Sequence, residues 1–422
     1  MSNTFTTPSR GRWWGAMALA SVLVITAACG NSDHTKATPT APAAATTATP
    51  TTPAAAGATT ATPTPPAGIL EARSIVRPYL EQPTKIGISE PINAKIPTGK
   101  KIVLISCGVQ ACDDLGLSMA EAAKVLGWEF ELYRTNGSPE DIQRAFDQAV
   151  QAKPFGVTYQ AIPAELISRQ LEQLKAAGTY VFPCCVFSGD KYYSGNIIDF
   201  AAHERYGKLN AAALVAAGGP GAGFGMVCVN TITSLEILCK NFKNEVERLC
   251  PDCTVDRLDL TIPQLGAGEA PQRVVDFLRA NPRVKRLWFT NDDFTTGLFP
   301  ALKSAGISDV RVHGFATNTQ TIALVRSGVM ESSFPAPQVE TAWYFMDGFA
   351  RLAAGQPIDP TVAAGKATSW SIPNQLWTAN RSTFDPSLSG SNLPSDLPTS
   401  DGLLPIAPLD TIRQGFTALW GK

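Results

Sequence analysis

Two adjacent cysteines, Cys184 and Cys185, lie in the stretch YVFPCCVFSG, at the end of a predicted buried strand. Such thiols can form a redox centre, a metal site or part of the wall of a binding cleft. A redox pair ordinarily has C-x-x-C spacing and a helix amino terminus that lowers the pKa of one thiol. The adjacent spacing therefore favours a disulfide or a cleft wall over redox or nucleophilic catalysis.

The remaining cysteines also favour disulfides. Cys107 and Cys112 flank one loop and could bridge each other or reach Cys184 or Cys185. Cys250 and Cys253 have C-x-x-C spacing, but they follow a predicted helix and precede a strand, so a redox motif is disfavoured. A local disulfide there, or pairing with Cys239 or Cys228, remains open. Of the nine cysteines, eight remain when Cys29 is set aside, an even number that allows full pairing in an exported protein.

Acidic and histidine side chains give no catalytic or metal pattern. Asp292 and Asp293 are adjacent, so their side chains should point apart, with Asp292 gripping a ligand and Asp293 solvated or capping. The three histidines are scattered, and HERYG lacks the second histidine of H-E-x-x-H. The glycine-rich GGPGAGFG precedes a strand, whereas a dinucleotide fingerprint follows one. We therefore expect no enzyme activity, no metal and no cofactor.

Composition restricts the class further. The chain has 422 residues, enough for two or three domains, and 44% hydrophobic residues indicate a globular body. The formal net charge is −1, which argues against a nucleic-acid partner because such partners require a basic surface.

The amino terminus predicts export and lipid anchoring. Arg10 and Arg12 precede the apolar run WWGAMALASVLVIT, which is too short to span a bilayer. ITAACG resembles a lipobox, which implies cleavage before Cys29 and diacylation of that cysteine; the alternative is an ordinary secretion signal. The following segment is almost entirely Ala, Thr and Pro and cannot form a core. We expect a protein tethered at the outer face of a bacterial cell membrane.

Beyond Lys100, short apolar strands alternate with amphipathic helices. NGSPEDIQRAFDQAVQ illustrates a helix start, with Ser138 as N-cap, Pro139 in the first position and acids in the first turn. The alternation occurs twice and predicts two parallel sheets, each covered by helices on both faces. Ligands of such sheets bind beyond the carboxyl ends of the strands, so two facing lobes should enclose a cleft.

Three segments in this order resemble the type 1 periplasmic binding proteins, the sugar-type solute-binding components of bacterial ABC importers. They are EAAKVLGWEFELYRTNGSPEDIQRAFDQAVQAKPFGVTYQAI, FTNDDFTTGLFPALKSAGISDVRVHGF and ETAWYFMDGFARLAAGQP. The resemblance implies two Rossmann-like lobes joined by a hinge of three crossings, a monomer that closes on a small molecule, and docking on membrane permease subunits. LacI-type regulators share this fold, but no DNA-binding helix pair precedes it here.

The predicted domains follow from these segments. Residues 1–28 form the lipoprotein signal peptide, 29–68 the linker, and 386–422 an irregular tail that includes a short helix in LDTIRQGFTALW. An amino-terminal lobe (N-lobe) comprises residues 69–190 and 336–357. A carboxyl-terminal lobe (C-lobe) comprises residues 191–335 and 358–385.

The resemblance also implies a modified cleft. Where the family's sugar binders carry Asp-Arg after the fourth strand, this chain has Cys185–Val186. Ala316 stands in place of another Asp, and Pro335 in place of Gln, with Gln338 nearby; Asn291–Asp292 is kept. Buried hydroxyl groups of a sugar need polar partners, so this cleft predicts a ligand less polar than a common hexose: an aromatic, a terpenoid or steroid-like molecule, or a deoxygenated sugar. The alternative is an ordinary carbohydrate held by other residues.

The candidate ligand-binding residues include polar side chains that would hydrogen-bond the ligand and aromatic side chains that would form an apolar wall. Phe315 would also belong to this wall. They are Gln110, Tyr159, Gln160, Cys185, Phe187, Asn230, Asn291, Asp292, Phe294, Ala316 and Gln338. The leading function is solute capture for import. A ligand sensor for a membrane signalling protein and a surface enzyme are the other classes, and neighbouring permease or sensor-kinase genes would separate the first two.

Overall fold

A computed structural model describes residues 65–108, 110–198, 200–356, 358 and 372–422; the side chains of residues 110 and 111 are not described. The predicted signal peptide, Cys29 and the linker up to residue 64 lie outside the described residues. The strands are β1 (Lys101–Ile105), β2 (Glu129–Tyr133), β3 (Gly156–Tyr159), β4 (Tyr180–Val181), β5 (Gly223–Cys228), β6 (Thr254–Asp259), β7 (Val284–Phe289), β8 (Arg311–Phe315) and β9 (Ser332–Phe334). The helices are α1 (Ala67–Val76), α2 (Gln110–Leu126), α3 (Pro139–Ala152), α4 (Ser168–Ala176), α5 (Phe200–Gly218), α6 (Thr233–Leu249), α7 (Ile262–Gly266), α8 (Ala270–Ala280), α9 (Leu298–Ser304), α10 (Thr321–Arg326), α11 (Gln338–Ala353) and α12 (Leu409–Leu419).

The strands form two parallel sheets, as the sequence predicts. The N-lobe sheet has four strands in the order β2-β1-β3-β4, and the C-lobe sheet has five in the order β6-β5-β7-β8-β9. Each sheet carries an apolar core on both faces: Leu104 and Val103, neighbours on β1, belong to different clusters, as do Met226 and Val227 on β5. This is the arrangement expected of strands that are buried on both sides.

Local signals explain where several helices begin. Ser138 accepts a hydrogen bond from the amide of Asp141 at 3.3 Å, which confirms it as the N-cap of α3. A cap that the pattern did not indicate occurs at α7, where Thr261 and Gln264 form a reciprocal capping box.

The strand predicted over TYVFPCCV is shorter in the structure. β4 contains only Tyr180 and Val181, and Pro183, which has no amide hydrogen to donate, follows it. Cys184 then makes isolated bridges to Gln160 and Ile197. The two cysteines therefore lie on an irregular segment beyond the strand.

The amino-terminal segment packs on both lobes. Helix α1 lies against α5 and α6 of the C-lobe, where Ile69, Ala72 and Val76 are buried. The chain then passes to the N-lobe, where the amide of Ile92 donates to the carbonyl of Leu419 at 2.8 Å. We expected residues 69–190 to belong to the N-lobe, but α1 buries its apolar face in the other lobe.

The carboxyl-terminal segment also passes between lobes. On the C-lobe, Arg326 donates to the carbonyl of Leu397 at 2.7 Å. On the N-lobe, Glu340 accepts from the amides of Ile406 and Ala407 at 2.8 and 3.1 Å, and α12 packs on α11. The short helix predicted in LDTIRQGFTALW is α12, and its buried residues belong to the N-lobe core.

These two segments add to the connections that the resemblance implies. We name residues 81–86 the amino strap and residues 398–405 the carboxyl strap. The other passages lie near Ile198, near Pro335, and between Ile372 and Leu376. Among the described residues, no helix is both long and apolar enough to cross a bilayer.

Candidate functional site

A cavity of about 500 Å³ lies where the two lobes face each other. Its N-lobe wall comes from the segments that follow β3 and β4, and its C-lobe wall comes from the turn between β5 and α6. This is the carboxyl edge of both sheets, where ligands of open α/β sheets bind. We call it the cleft cavity; it is lined by Ala161, Ile162, Pro163, Glu165, Cys185, Val186, Phe187, Ser188, Thr231, Ile232, Thr233 and Ser234.

The N-lobe wall of the cleft cavity is largely apolar. Cys185 lines the cavity and forms a disulfide with Cys184, which is fully buried beneath it. Phe187, two residues after Cys185, packs edge-on against His203, with ring centroids 5.1 Å apart. Phe200 packs edge-on against Phe187 at 6.3 Å and is itself 51% exposed. Of these side chains, Cys185 and Phe187 line the cavity, and together they form a surface suited to an apolar ligand body.

Polar groups stand at the two ends of the cavity wall. A hydrogen bond from the amide of Glu165 itself, followed by one from Ser188, lowers the pKa of the Glu165 carboxyl below its ordinary value, so this residue is ionised at neutral pH. On the C-lobe side, α6 begins at Thr233, and Ile232 at the N-cap provides no side-chain cap. Uncapped amides of a first turn favour an acceptor oxygen. The cavity can therefore bind a ligand that carries one or two polar groups.

The backbone is strained at the carboxyl ends of several strands. Ala161 after β3 has φ 53°, and Cys185 after β4 and Ala316 after β8 each have φ 61°. These left-handed conformations are unfavourable for residues with a Cβ atom and concentrate at ligand sites. Ala161 and Cys185 both line the cleft cavity.

The structure places Asp292 below the cavity surface. Its side chain is fully buried, and Oδ2 accepts from the hydroxyl of Ser333 at 2.9 Å, which in turn accepts from Thr317 at 2.7 Å. Burial raises the pKa of Asp292 to about 7, and the Ser333 hydrogen bond opposes this shift. Asp292 is absent from the lining of the cleft cavity, so its role as a ligand grip stays a prediction.

Other predicted aromatic and amide residues have partners within the protein. Tyr159 is fully buried, with its hydroxyl 2.8 Å from that of Tyr193. Gln160 donates to Gln338 at 3.1 Å. Asn291 caps the turn that follows β7 by accepting from the amide of Asp293 at 2.8 Å.

Of the remaining candidates, Phe294 packs on the C-lobe core, Ala316 packs beside Phe315, and Asn230 is exposed after β5. The structure thus brings together Cys185 and Phe187 at the cleft cavity. The sequence interpretation missed Ala161–Glu165 and Thr231–Ser234. Their positions directly after β3 and β5 were the available signal, because each strand end faces the cleft.

The cysteines pair locally in the structure. The pairs are Cys107–Cys112, Cys184–Cys185, Cys228–Cys239 and Cys250–Cys253. Cys250, Asp252 and Cys253 are close enough to surround an ion, but both sulfur atoms are in a disulfide.

Fold and cleft define a two-lobed α/β binding protein. A family model described as the periplasmic binding protein domain matches residues 111–357, more than half of the chain. The chain therefore belongs to the periplasmic binding protein family, which confirms the predicted family and fold. The family is one of solute-binding proteins, as expected for a chain that is not an enzyme.

Solved structures of low identity share this fold. A periplasmic ribose ABC transporter protein from Conexibacter woesei is 17% identical with a TM-score of 0.57, over 63% of this chain and 90% of that chain. A solute-binding protein from Agrobacterium vitis with bound allitol is 19% identical with a TM-score of 0.53, over 62% and 91% of the two chains. A Mycobacterium smegmatis protein in complex with β-D-fucofuranose is 18% identical with a TM-score of 0.51, over 62% and 88%. A search of curated proteins finds no match.

Proposed function

We propose that the protein is an extracytoplasmic solute-binding lipoprotein that captures a small molecule in the cleft cavity and delivers it to an ABC-type importer. The observation that carries this proposal is the cavity of about 500 Å³ between the strand ends of the two lobes, in a chain of the periplasmic binding protein family. Permease subunits are the partners that the family implies. The lipid on Cys29 would hold the protein at the outer face of the membrane.

The ligand we propose is less polar than a common hexose. Ile162, Val186 and the Cys184–Cys185 disulfide contribute apolar surface, and Phe187 extends it towards the exposed ring of Phe200. Each ligand hydroxyl buried against such surface without a partner costs about 1–3 kcal/mol. The first turn of α6 suits a hydroxyl or carboxylate at one end of an aromatic, steroid-like or deoxygenated molecule, whereas the ionised Glu165 beside Ser188 suits only a hydroxyl that donates to it.

An ordinary carbohydrate is the second candidate ligand. The similar proteins from Agrobacterium vitis and Mycobacterium smegmatis are described with allitol and β-D-fucofuranose bound. The hydroxyl groups of Ser188, Thr231, Thr233 and Ser234 line the cleft cavity and could pair with those of a sugar.

Native mass spectrometry of the full chain can separate the two candidates. One panel contains benzoate and cholate, and the other contains D-galactose and ribitol. We expect a one-to-one adduct with an apolar acid, weakened at least tenfold by Phe187→Ala because its ring forms the apolar wall. Phe130→Ala is the matched control, since Phe130 is a partly buried phenylalanine on β2 of the same lobe, away from the cavity.

A tight sugar adduct that Phe187→Ala weakens would establish the carbohydrate alternative. Equal effects of Phe187→Ala and Phe130→Ala, or no adduct from either panel, would contradict the proposed cleft. A ligand whose mass changes on incubation would indicate an enzyme.

A further inference from the structure

The Cys184–Cys185 disulfide belongs both to the wall of the cleft cavity and to the passage between the lobes near Ile197. Cys185 lines the cavity, whereas Cys184 is fully buried. The amide of Cys185 donates to the carbonyl of Ile197 at 3.1 Å, and the amide of Ile197 donates to the carbonyl of Pro183 at 3.0 Å. On the other side, the amide of Ala161 donates to the carbonyl of Cys184 at 3.1 Å. The cysteine pair is thus bonded both to a cavity wall and to the hinge.

Three left-handed residues coincide with these hydrogen bonds. Ala161, Cys185 and Ile198 have φ of 53°, 61° and 54°, and they are three of the five described non-glycine residues with positive φ. A residue with a Cβ atom disfavours this conformation, so the surrounding structure has to impose it. Their clustering around one set of hydrogen bonds indicates that this network fixes the backbone between the cavity and the hinge.

Covalent connectivity explains how the disulfide imposes the left-handed conformation at Cys185. Because the two cysteines are adjacent, the bond between their sulfur atoms closes a small ring through the peptide bond that joins them. The N–Cα bond of Cys185, about which φ rotates, is a member of that ring, so φ cannot change freely while the disulfide is intact. Opening the ring restores this rotation at a residue that disfavours its present φ. Val186 and Phe187 follow directly and line the cavity, so the rotation would displace the cavity wall.

We propose that the Cys184–Cys185 disulfide is a thiol-sensitive control site of the cleft: the protein captures its solute with the pair oxidised and loses affinity when a small dithiol reduces it. A thiolate of the dithiol attacks Sγ of Cys185, which is partly exposed, and breaks its bond to Cys184; the second sulfur of the dithiol then displaces Cys185. The dithiol is oxidised to its own disulfide, and its two protons finish on the two cysteine thiols. The loss of affinity rests on the proposed function, whereas the control of the backbone does not.

Hydrogen exchange of the ligand-free full chain tests the control of the backbone. The double variant Cys184→Ser/Cys185→Ser replaces both sulfur atoms by oxygen and cannot form the disulfide. We expect the amides at positions 161, 185 and 197 to exchange at least tenfold faster than in the parent protein, because the ring no longer holds their hydrogen bonds in place. Cys250→Ser/Cys253→Ser is the matched control, since it removes another local disulfide outside the lining of the cleft cavity, and it should leave these amides unchanged.

Native mass spectrometry tests the effect on capture. For each of benzoate, cholate, D-galactose and ribitol that the parent protein binds, we expect Cys184→Ser/Cys185→Ser to weaken the adduct at least tenfold and Cys250→Ser/Cys253→Ser to leave it unchanged. Titration of the parent protein with dithiothreitol should abolish the adduct in step with the opening of Cys184–Cys185, which alkylation and peptide mapping follow. Hydrogen exchange and binding of the parent protein in dithiothreitol also provide the answer if the serine variant does not fold.

Equal exchange with the Cys184–Cys185 disulfide intact and open would overturn the proposal, because the hydrogen bonds alone would then hold the backbone. An adduct that Cys184→Ser/Cys185→Ser binds as tightly as the parent protein, or whose loss follows the opening of another disulfide, would overturn it as well. If the parent protein binds none of the four compounds, the proposed cleft is contradicted, and the exchange measurement alone decides whether the disulfide controls the backbone.

Discussion

Two carboxyl groups are buried without a cationic partner among the contacts described above. Burial raises the pKa of Asp292 and of Glu340 to about 7. Backbone amides of Glu340 itself, Ala407 and Ile406 partly oppose the shift at Glu340. Because both pKa values lie above those of the unfolded chain, the folded protein holds more protons between about pH 4 and pH 7. These two residues make the protein less stable as the pH rises through that interval.

Asp292→Asn should test this effect. The amide stays uncharged, so the variant should gain stability relative to the parent protein, by about 1–3 kcal/mol, on going from pH 5 to pH 8. Carboxyl groups with lowered pKa values, such as Asp141 and Asp309, act in the opposite direction, but they are the same in both proteins. Urea unfolding at the two pH values measures the difference.

Asp293→Asn is the control for this comparison, since it makes the same replacement at the neighbouring, exposed residue. A stability difference between parent and Asp292→Asn that is constant from pH 5 to pH 8 would show that Asp292 is ionised throughout.

The buried state of Asp292 shows what sequence patterns reveal at this scale. An acid directly after a predicted strand was visible, and its adjacency to the cleft edge followed from the fold. The residues that bury Asp292 could not be predicted from the sequence. Ser333, which donates to Asp292, lies on β9, far along the chain. The close approach of Asp292 Oδ1 to Gly314 depends on how the strands pack. Ala161 and Thr231 were likewise identifiable only as loop residues, since cavity lining depends on how two lobes meet.

At the scale of elements, α1 makes an unusually close contact with α6. A Cβ atom built on Gly68 would lie 1.8 Å from the carbonyl oxygen of Leu249. Glycine at this position lets the helix reach the C-lobe core, where Ile69 and Ala72 are buried. The fit therefore depends on the absence of a side chain at a single residue.

Gly68→Ala should force α1 away from α6. We expect a loss of about 1–3 kcal/mol of unfolding free energy and a lower Tm, despite the better helix propensity of alanine. Thermal unfolding followed by circular dichroism measures this. Gly266→Ala in the exposed helix α7 is the control, because a Cβ atom there meets nothing within 4 Å.

A Gly68→Ala protein as stable as the Gly266→Ala control would show that α1 is not seated firmly on the C-lobe. Helical periodicity can indicate that a segment has a buried face, but it cannot say which lobe covers that face. The early end of β4 could have been predicted from the sequence, because Pro183 disfavours a strand at that position.

At the scale of the whole molecule, the straps connect the lobes outside the matched family region, residues 111–357. The amino strap is fixed on the C-lobe by the carbonyl of Tyr79, which accepts from Leu376 at 2.7 Å. On the N-lobe it is fixed by the carbonyl of Ile86, which accepts from the hydroxyl of Tyr344. The carboxyl strap runs between equally firm contacts at Leu397 and Ile406. Together they should limit how far the lobes separate.

Cutting the amino strap should relax this limit. A protease site inserted between Gln82 and Lys85 leaves the contacts on either side intact. After cleavage we expect a larger radius of gyration by small-angle scattering without ligand, and weaker cleft binding, because closing then starts from a wider opening. The uncleaved insertion protein is the control, and identical scattering before and after cleavage would mean that the strap does not restrain the lobes.

The placement of the two chain ends also bears on the order in which the protein can fold during synthesis. Helix α1 emerges early, yet its partner Leu249 follows much later, and the N-lobe contact of Ile92 waits for Leu419 near the last residue. Pairings so distant in sequence form slowly and only when both partners have left the ribosome. Each lobe therefore lacks part of its packing until these later residues have been synthesised, so the two lobes should acquire their full stability together and not one after the other.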